Sequence, residues 1–368
     1  MKKILLFIAI FLYFEFSFSQ NTIISEYYRE TVDLRGEELR TALWNKIKNH
    51  NIFYYNNMWN SNWSIFQETD IKEDGYIWDM YSACNFMPED HGNSAVECGK
   101  YDREHSFPKD WFGGDINPMY SDLFHIYPTN CVTNNKRGNY PYGEVGNNIT
   151  YTSTNGSKRG PANSNLGYSG VVFEPIDEYK GDFARTYFYM LTCYMDKNLK
   201  QGSSIMVAEN NNFENWAIEM LLRWHREDPV SQKEIDRNNK IFCNYQHNRN
   251  PFIDCPAFAD LIWDTNYSGT ITFTSESINC QPININYVEK NNTINIINTN
   301  NIIKIETSTK IIDINICDIA GRTILKSSVN KKQEKINTNT FENGIYIISI
   351  KTENGEIYSD KIVILNGL

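Results

Sequence analysis

The sequence predicts an α+β chain: a mainly helical first domain that carries a compact strand–strand–helix unit, followed by a small all-β sandwich. Three observations predict it. Before about residue 270 the chain is rich in Trp, Tyr and apolar residues at helical spacing. After it, Asn, Ile, Thr and Lys alternate in short runs such as INIINTNNIIKIET and IIDINICDIAG, with turn residues at ICDIAGRTI and FENGIYIISI, which indicates about seven short strands. Between residues 101 and 139 (YDREHSFPKDWFGGDINPMYSDLFHIYPTNCVTNNKRGN) two strand-like runs flank a Gly113-Gly114 loop and lead into a helix start. With 368 residues, 41% of them hydrophobic and 14% aromatic, the chain has material for two cores.

The first twenty residues carry two lysines, an apolar run, and Ser17 and Ser19 at the minus-three and minus-one positions of a cut before Gln20, so residues 1–19 read as a secretory signal. The run is short and Glu15 interrupts it, which makes a membrane anchor a poor fit. No other window approaches transmembrane length, and export is expected to release a soluble chain. The first domain then spans residues 20–267, residues 268–284 read as a linker, and the all-β domain spans 285–368. Export permits disulfides, and the eight cysteines lack the paired C-x-x-C spacing of structural zinc sites. Cys84 and Cys98 bracket a short loop containing Gly and Asn and are the candidate bridge; Cys131, Cys193, Cys243, Cys255, Cys280 and Cys317 cannot be paired from sequence.

Within the central unit the expected elements are a strand at about 99–106, a second at about 123–127, and a helix opening just after Pro128 with Thr129 or Asn130 as its cap and Gly138 as its end. Asn134 would lie one turn into that helix. Neighbours on a regular strand face opposite ways, so Glu104 and His105 share a site only at a strand end or irregular turn, and Pro108 stands where such a break is expected. A neutral imidazole can take a proton from water near pH 7, while a carboxylate and an amide carbonyl suit a hard cation. His105 is therefore the candidate base, and Glu104 and Asn134 the candidate ligands of Mg²⁺, with Ca²⁺ or Mn²⁺ as alternatives. Two strands packed on a helix around one shared ion make a ββα-metal site, equipment suited to phosphodiester hydrolysis.

The remaining motifs have structural readings. KGDFARTYFYMLTCYM reads as a helix with Phe183, Tyr187, Met190 and Leu191 on an apolar stripe, and Asp182 with Arg185 as an i,i+3 pair. Trp224, His225, Asp228 and Pro229 mark a helix ending at a proline turn. His91, His125 and His247 are expected as hydrogen-bonded structural residues. Arg237 and Arg249 are expected mostly as scaffold, with a contribution to a charged surface.

At these residues the chain resembles the endonuclease I family of secreted and periplasmic bacterial nucleases, in the His-Me finger superfamily. The resemblance rests on Arg103-Glu104-His105, Pro108, Asp122 to His125, Pro128, and Asn134 to Asn139, with two further blocks at 173–190 and 221–254. It implies that His105 activates water, that Glu104 and Asn134 hold Mg²⁺ or Ca²⁺ on the scissile phosphate and leaving 3′ oxygen, and that products carry 5′ phosphates. Some relatives place a phosphate-contacting arginine between the histidine and the second strand; here only Lys109 is basic between Pro108 and Asp122, so Lys109, Arg137 and Arg185 are the candidates for that task. The tail, through DIAGRTIL at 318–325 and the run at 343–364, resembles the C-terminal sorting domain of the type IX secretion system. That resemblance implies a secretion-machinery partner and a secreted or surface location.

A net charge of −10 disfavours tight, extended gripping of a polyanion but not turnover at a local basic trough, for which Arg103, Lys109, Lys136, Arg137, Lys158 and Arg159 are placed. No recognition helix or zinc finger appears, so cutting of DNA, RNA or both without sequence specificity, by a monomer, is expected. The alternative is a non-catalytic exported binding module on the same fold.

Overall fold

The computed structural model describes residues 22–52, 61–278, 280, 294–299, 302–318, 322–342, 344–355 and 357–364. The expected signal segment lies outside them. The chain divides into two compact units at residues 282–283.

The first unit opens with β1 (Thr22–Ile23), α1 (Ile24–Tyr27), α2 (Gly36–Ile47) and α3 (Ser61–Thr69). The central hairpin follows, β2 (Tyr101–His105) and β3 (Ile126–Asn130), running directly into α4 (Cys131–Arg137). A small antiparallel sheet of β4 (Tyr151–Thr152), β5 (Lys158–Pro161) and β6 (Val171–Glu174) leads to the helices α5 (Lys180–Cys193), α6 (Asn215–Glu227), α7 (Gln232–Asn244), α8 (Pro251–Asp254) and α9 (Ala257–Trp263). β7 (Ser277–Ile278) returns to pair with β1.

Every residue of α5 from Gly181 to Cys193 is buried, so the expected stripe is a helix enclosed on all sides. α2, α6 and α8 pack around it. Full enclosure forces its charges to find partners: Arg185 is bound by Glu234 and Asp182, and Lys233 reaches Asp182 at 2.7 Å. α6 ends at Glu227, with Asp228 as its C-cap before Pro229, as expected. α7 starts on a capping box, Ser231 with Glu234. Among the described residues no helix is long and apolar enough to cross a membrane.

Cys84 and Cys98 are bonded, with Cα atoms 5.2 Å apart. A second bridge joins Cys243 to Cys280. That bridge and the β1–β7 pair tie residues as far as 280 into the first unit, so the linker starts later than 268.

In the second unit the described strands are β8 (Ile294–Thr299), β9 (Ile302–Asp318), β10 (Thr323–Asn337), β11 (Gly344–Thr352) and β12 (Ile357–Ile364). Five strands stand among the described residues of this unit, where about seven short ones were expected over the whole of it. The strands β9 and β10 are long, and register shifts near Ser328 and Lys331 interrupt their ladder without ending it. β9 pairs with β8 through its first half and with β11 through its second. Alternating isoleucines, among them Ile303, Ile305, Ile314, Ile316, Ile348 and Ile350, form the core.

Candidate active site

The site is organised by one short hairpin and the helix that follows it. β2 and β3 pair antiparallel, with Glu104 opposite Tyr127 and His105 opposite Ile126. The second strand starts at Ile126 rather than 123 because Leu123–His125 form a turn, its His125 N–H on the Asp122 carbonyl at 3.3 Å, and Pro128 lies inside the strand rather than before the helix. A two-stranded ribbon has only edge strands, and an edge tolerates a residue without an N–H. Asn130 then caps α4, its Oδ1 accepting from the N–H groups of Val132 and Thr133 at 2.8 and 3.1 Å. Its own N–H donates to Asp79 at 3.0 Å, which anchors the junction. Burial pushes the Asp79 carboxyl up to about 6 against the hydrogen bonds it accepts.

Glu104 is buried, and its Oε1 accepts from Arg137 at 2.7 Å and from Tyr81 at 3.0 Å. Both bonds fall on one oxygen, so Oε2 keeps its acceptor capacity. Burial raises the carboxyl above its ordinary range, and the Arg137 guanidinium opposes that rise. Arg137 also donates to the backbone carbonyls of His105 and Ser106, locking the strand end to α4.

His105 is the last residue of β2, and Pro108 opens the 3-10 turn Lys109–Phe112 just beyond. Its Nε2 lies 2.9 Å from the Tyr120 carbonyl oxygen, and its ring is parallel to the Tyr120 ring at 5.1 Å. A carbonyl only accepts, so in the neutral ring Nε2 carries the hydrogen and Nδ1 the lone pair. Burial, then the neighbouring His125, holds the imidazole neutral well below its usual titration range, with Lys109 and Arg103 adding to the effect. His125 itself is fully buried with Nε2 on the Met119 carbonyl at 2.6 Å, the structural role expected of it.

Asn134 is half-buried on α4, three residues before Arg137 and so on the same helix face. It lines an open cleft of about 370 Å³ with Asn93, Ser94, Asp102, Cys131 and Asn135. Asp102 and Glu104, two apart on β2, share the strand face that α4 covers. Strand alternation sends the imidazole of His105 the other way, and no hydrogen bond among the described residues joins it to Glu104 or Asn134. Glu104 is not among the residues that line the cleft beside Asn134 and lies buried against Arg137 and Tyr81. Carboxylate and amide oxygens on two abutting elements are donors of the kind a hard cation takes.

The expected cations divide sharply. Lys109 is exposed, paired with Asp115 at 2.7 Å and 5.1 Å from the Tyr120 ring. Arg137 and Arg185 are sealed in the interior against Glu104 and Glu234, which corrects their assignment as phosphate contacts. Arg237 and Arg249 are likewise buried, on Asp70 and Asp254. The reason is common to all four: a buried guanidinium needs a carboxylate, and these partners lie up to 167 residues away in sequence. Tyr81 and Tyr120, which hold the site's acid and imidazole, carry no sequence signal beyond the general richness in aromatics.

A second cluster brings ligand atoms of His50, Asp122 and Cys193 within 4.8 Å of one another. Asp122 there accepts from Tyr189, Tyr194, Gln246 and the Phe124 N–H, and burial pushes the Cys193 thiol well up. These hydrogen bonds build the cluster into the core, and its three ligand atoms are also close enough to share a metal ion.

A neutral imidazole beside oriented oxygen donors is the equipment of a hydrolase. The family is specific: residues 35–257 match the Endonuclease I family, and the chain belongs to it. It is a secreted or cell-surface nucleic-acid hydrolase, and residues 298–365 match the secretion system C-terminal sorting domain, whose partner is the secretion machinery. An extracellular ribonuclease of Bacillus amyloliquefaciens is 33% identical over 64% of this chain and 78% of its own length. One from Bacillus subtilis (strain 168) is 30% identical over the same shares. An endonuclease-1 of Buchnera aphidicola subsp. Acyrthosiphon pisum (strain APS) is 28% identical over 36% of this chain and 44% of its own.

Proposed function

We propose that the chain is a divalent-metal-dependent endonuclease of low sequence specificity that acts on RNA, DNA or both as a monomer and leaves 5′ phosphates. One observation carries the reading: the neutral His105 ring, its Nε2 committed to the Tyr120 carbonyl, stands at the end of the strand whose preceding residue offers an oriented carboxylate. With Nε2–H held, Nδ1 is the atom that accepts a proton from water. Glu104 Oε2 and the Asn134 amide oxygen would hold Mg²⁺, Ca²⁺ or Mn²⁺. A cation bound there offsets charge on the scissile phosphate and the leaving 3′ oxygen. Arg137 and Tyr81 keep the carboxylate ionised and aimed.

The test is nicking of plasmid DNA and digestion of RNA by the mature protein with Mg²⁺, with EDTA, and after His105→Ala. Loss of about 10² to 10⁴ in kcat is expected from the substitution, and loss of activity from chelation. Cutting that survives both overturns the reading.

A further inference from the structure

Two cations flank the ring pair formed by His105 and Tyr120, and one of them is held in place by an aromatic stack. Arg103 is two residues before His105 on β2, so both side chains leave the same face of the strand. Its guanidinium carbon lies 4.8 Å from the Trp63 ring centroid, and Trp63 in turn stacks on His91 at 4.4 Å with the rings 10° from parallel. Lys109 lies 5.1 Å from the Tyr120 ring that stacks against His105. The acids nearby are Asp102, 4.0 Å from Arg103, and Asp115, 2.7 Å from Lys109. The Lys109 pair is exposed on both sides, at 47% and 60%, so solvent and salt weaken it and a stronger acceptor can replace it.

We infer that Arg103, positioned by Trp63, and Lys109 form a two-cation cradle for the nucleic-acid phosphates on the imidazole side of the strand, the task for which Arg137 and Arg185 are too deeply buried. The inference rests on the nuclease reading above and names the substrate contacts of that site. A planar guanidinium laid on an indole keeps its charge while losing freedom, which suits a phosphate clamp. The two cations reach the site from separate elements, β2 and the 3-10 turn after it, so each can be removed alone.

The experiment uses the full mature chain carrying His105→Ala, in EDTA, with a fluorescent single-stranded oligonucleotide whose affinity is measured across a salt series. Arg103→Met and Lys109→Met should each reduce the slope of log affinity against log salt by about 0.7, the share of one phosphate contact on a single strand. Arg103→Lys should keep the slope. Trp63→Leu should weaken binding several-fold, and Trp63→Phe should restore most of it. Arg29→Met, on an exposed residue of the first unit remote in sequence, serves as the control. Slopes unchanged by both methionine variants overturn the cradle. If Arg103→Met fails to fold by thermal melt, Lys109→Met on the exposed turn decides alone. Should the otherwise unsubstituted enzyme cut regardless of His105, the nuclease mechanism fails instead, and the two failures are distinct.

Discussion

At Glu104 a carboxylate sits in the protein interior because Arg137 and Tyr81 lie against it. The pair therefore has a structural cost when broken. Arg137→Ala should lower stability by about 3–5 kcal/mol, since it strands a buried acid, while Glu104→Gln, which keeps a polar acceptor, should cost less. Urea melts of the two variants check this, and a larger loss for Glu104→Gln would contradict it. His225 offers a separate test. Its Nε2 donates to the Pro256 carbonyl and its Nδ1 faces Arg185, and burial, then Arg185, pushes it down to about 3. Below the unfolded value near 6.5 only the unfolded chain binds the proton, so its share of stability is full above pH 6.5 and is lost as pH falls towards 3. Between pH 7.5 and 5.5 that share amounts to about 1.4 kcal/mol. Asp79 and Asp228, both raised to about 6, act in the opposite direction over the same window. The measurement is therefore the difference between the unsubstituted chain and His225→Gln, whose stability should fall less over that interval.

Among the elements, α4 is only seven residues long and depends on its ends. Short helices gain little from propensity, so the Asn130 cap and the Arg137 lock decide whether it forms. Asn130→Ala should cost about 1 kcal/mol, and Asn130→Asp should largely preserve stability. Equal losses for the two variants in thermal melts would count against the cap. The displaced second strand has a physical origin as well. Residues 123–127 have the stronger strand character, yet β2 pairs with 126–130, Tyr101 opposite Asn130 and His105 opposite Ile126. That choice belongs to the partner strand and leaves no trace in local composition.

Over the whole molecule, the Cys84–Cys98 bridge closes the loop that brings Asn93, Ser94 and Ala95 to the cleft wall. Replacing both cysteines with serine should cost roughly 3 kcal/mol and impair activity more than an equal destabilisation elsewhere, because the wall beside Asn134 loosens. Comparing activity at matched stability, with Cys243 and Cys280 replaced in the control, measures it.

Residue order alone determined the helical-then-β division, the first disulfide, the helix closed by Gly138 and the clustering of Glu104, His105 and Asn134 within a short stretch. These depend on periodicity, turn chemistry and near neighbours, all written locally. Tertiary structure decided which cations are buried as scaffold and which stay exposed. Arg137, Arg185 and Arg237 look alike to Arg103 in sequence, yet each is drawn inside by an acid 33, 49 or 167 residues away. The same holds for Tyr120, whose carbonyl sets the tautomer of His105. Burial and partner choice are properties of contacts between remote segments, and the fold alone brings those segments together.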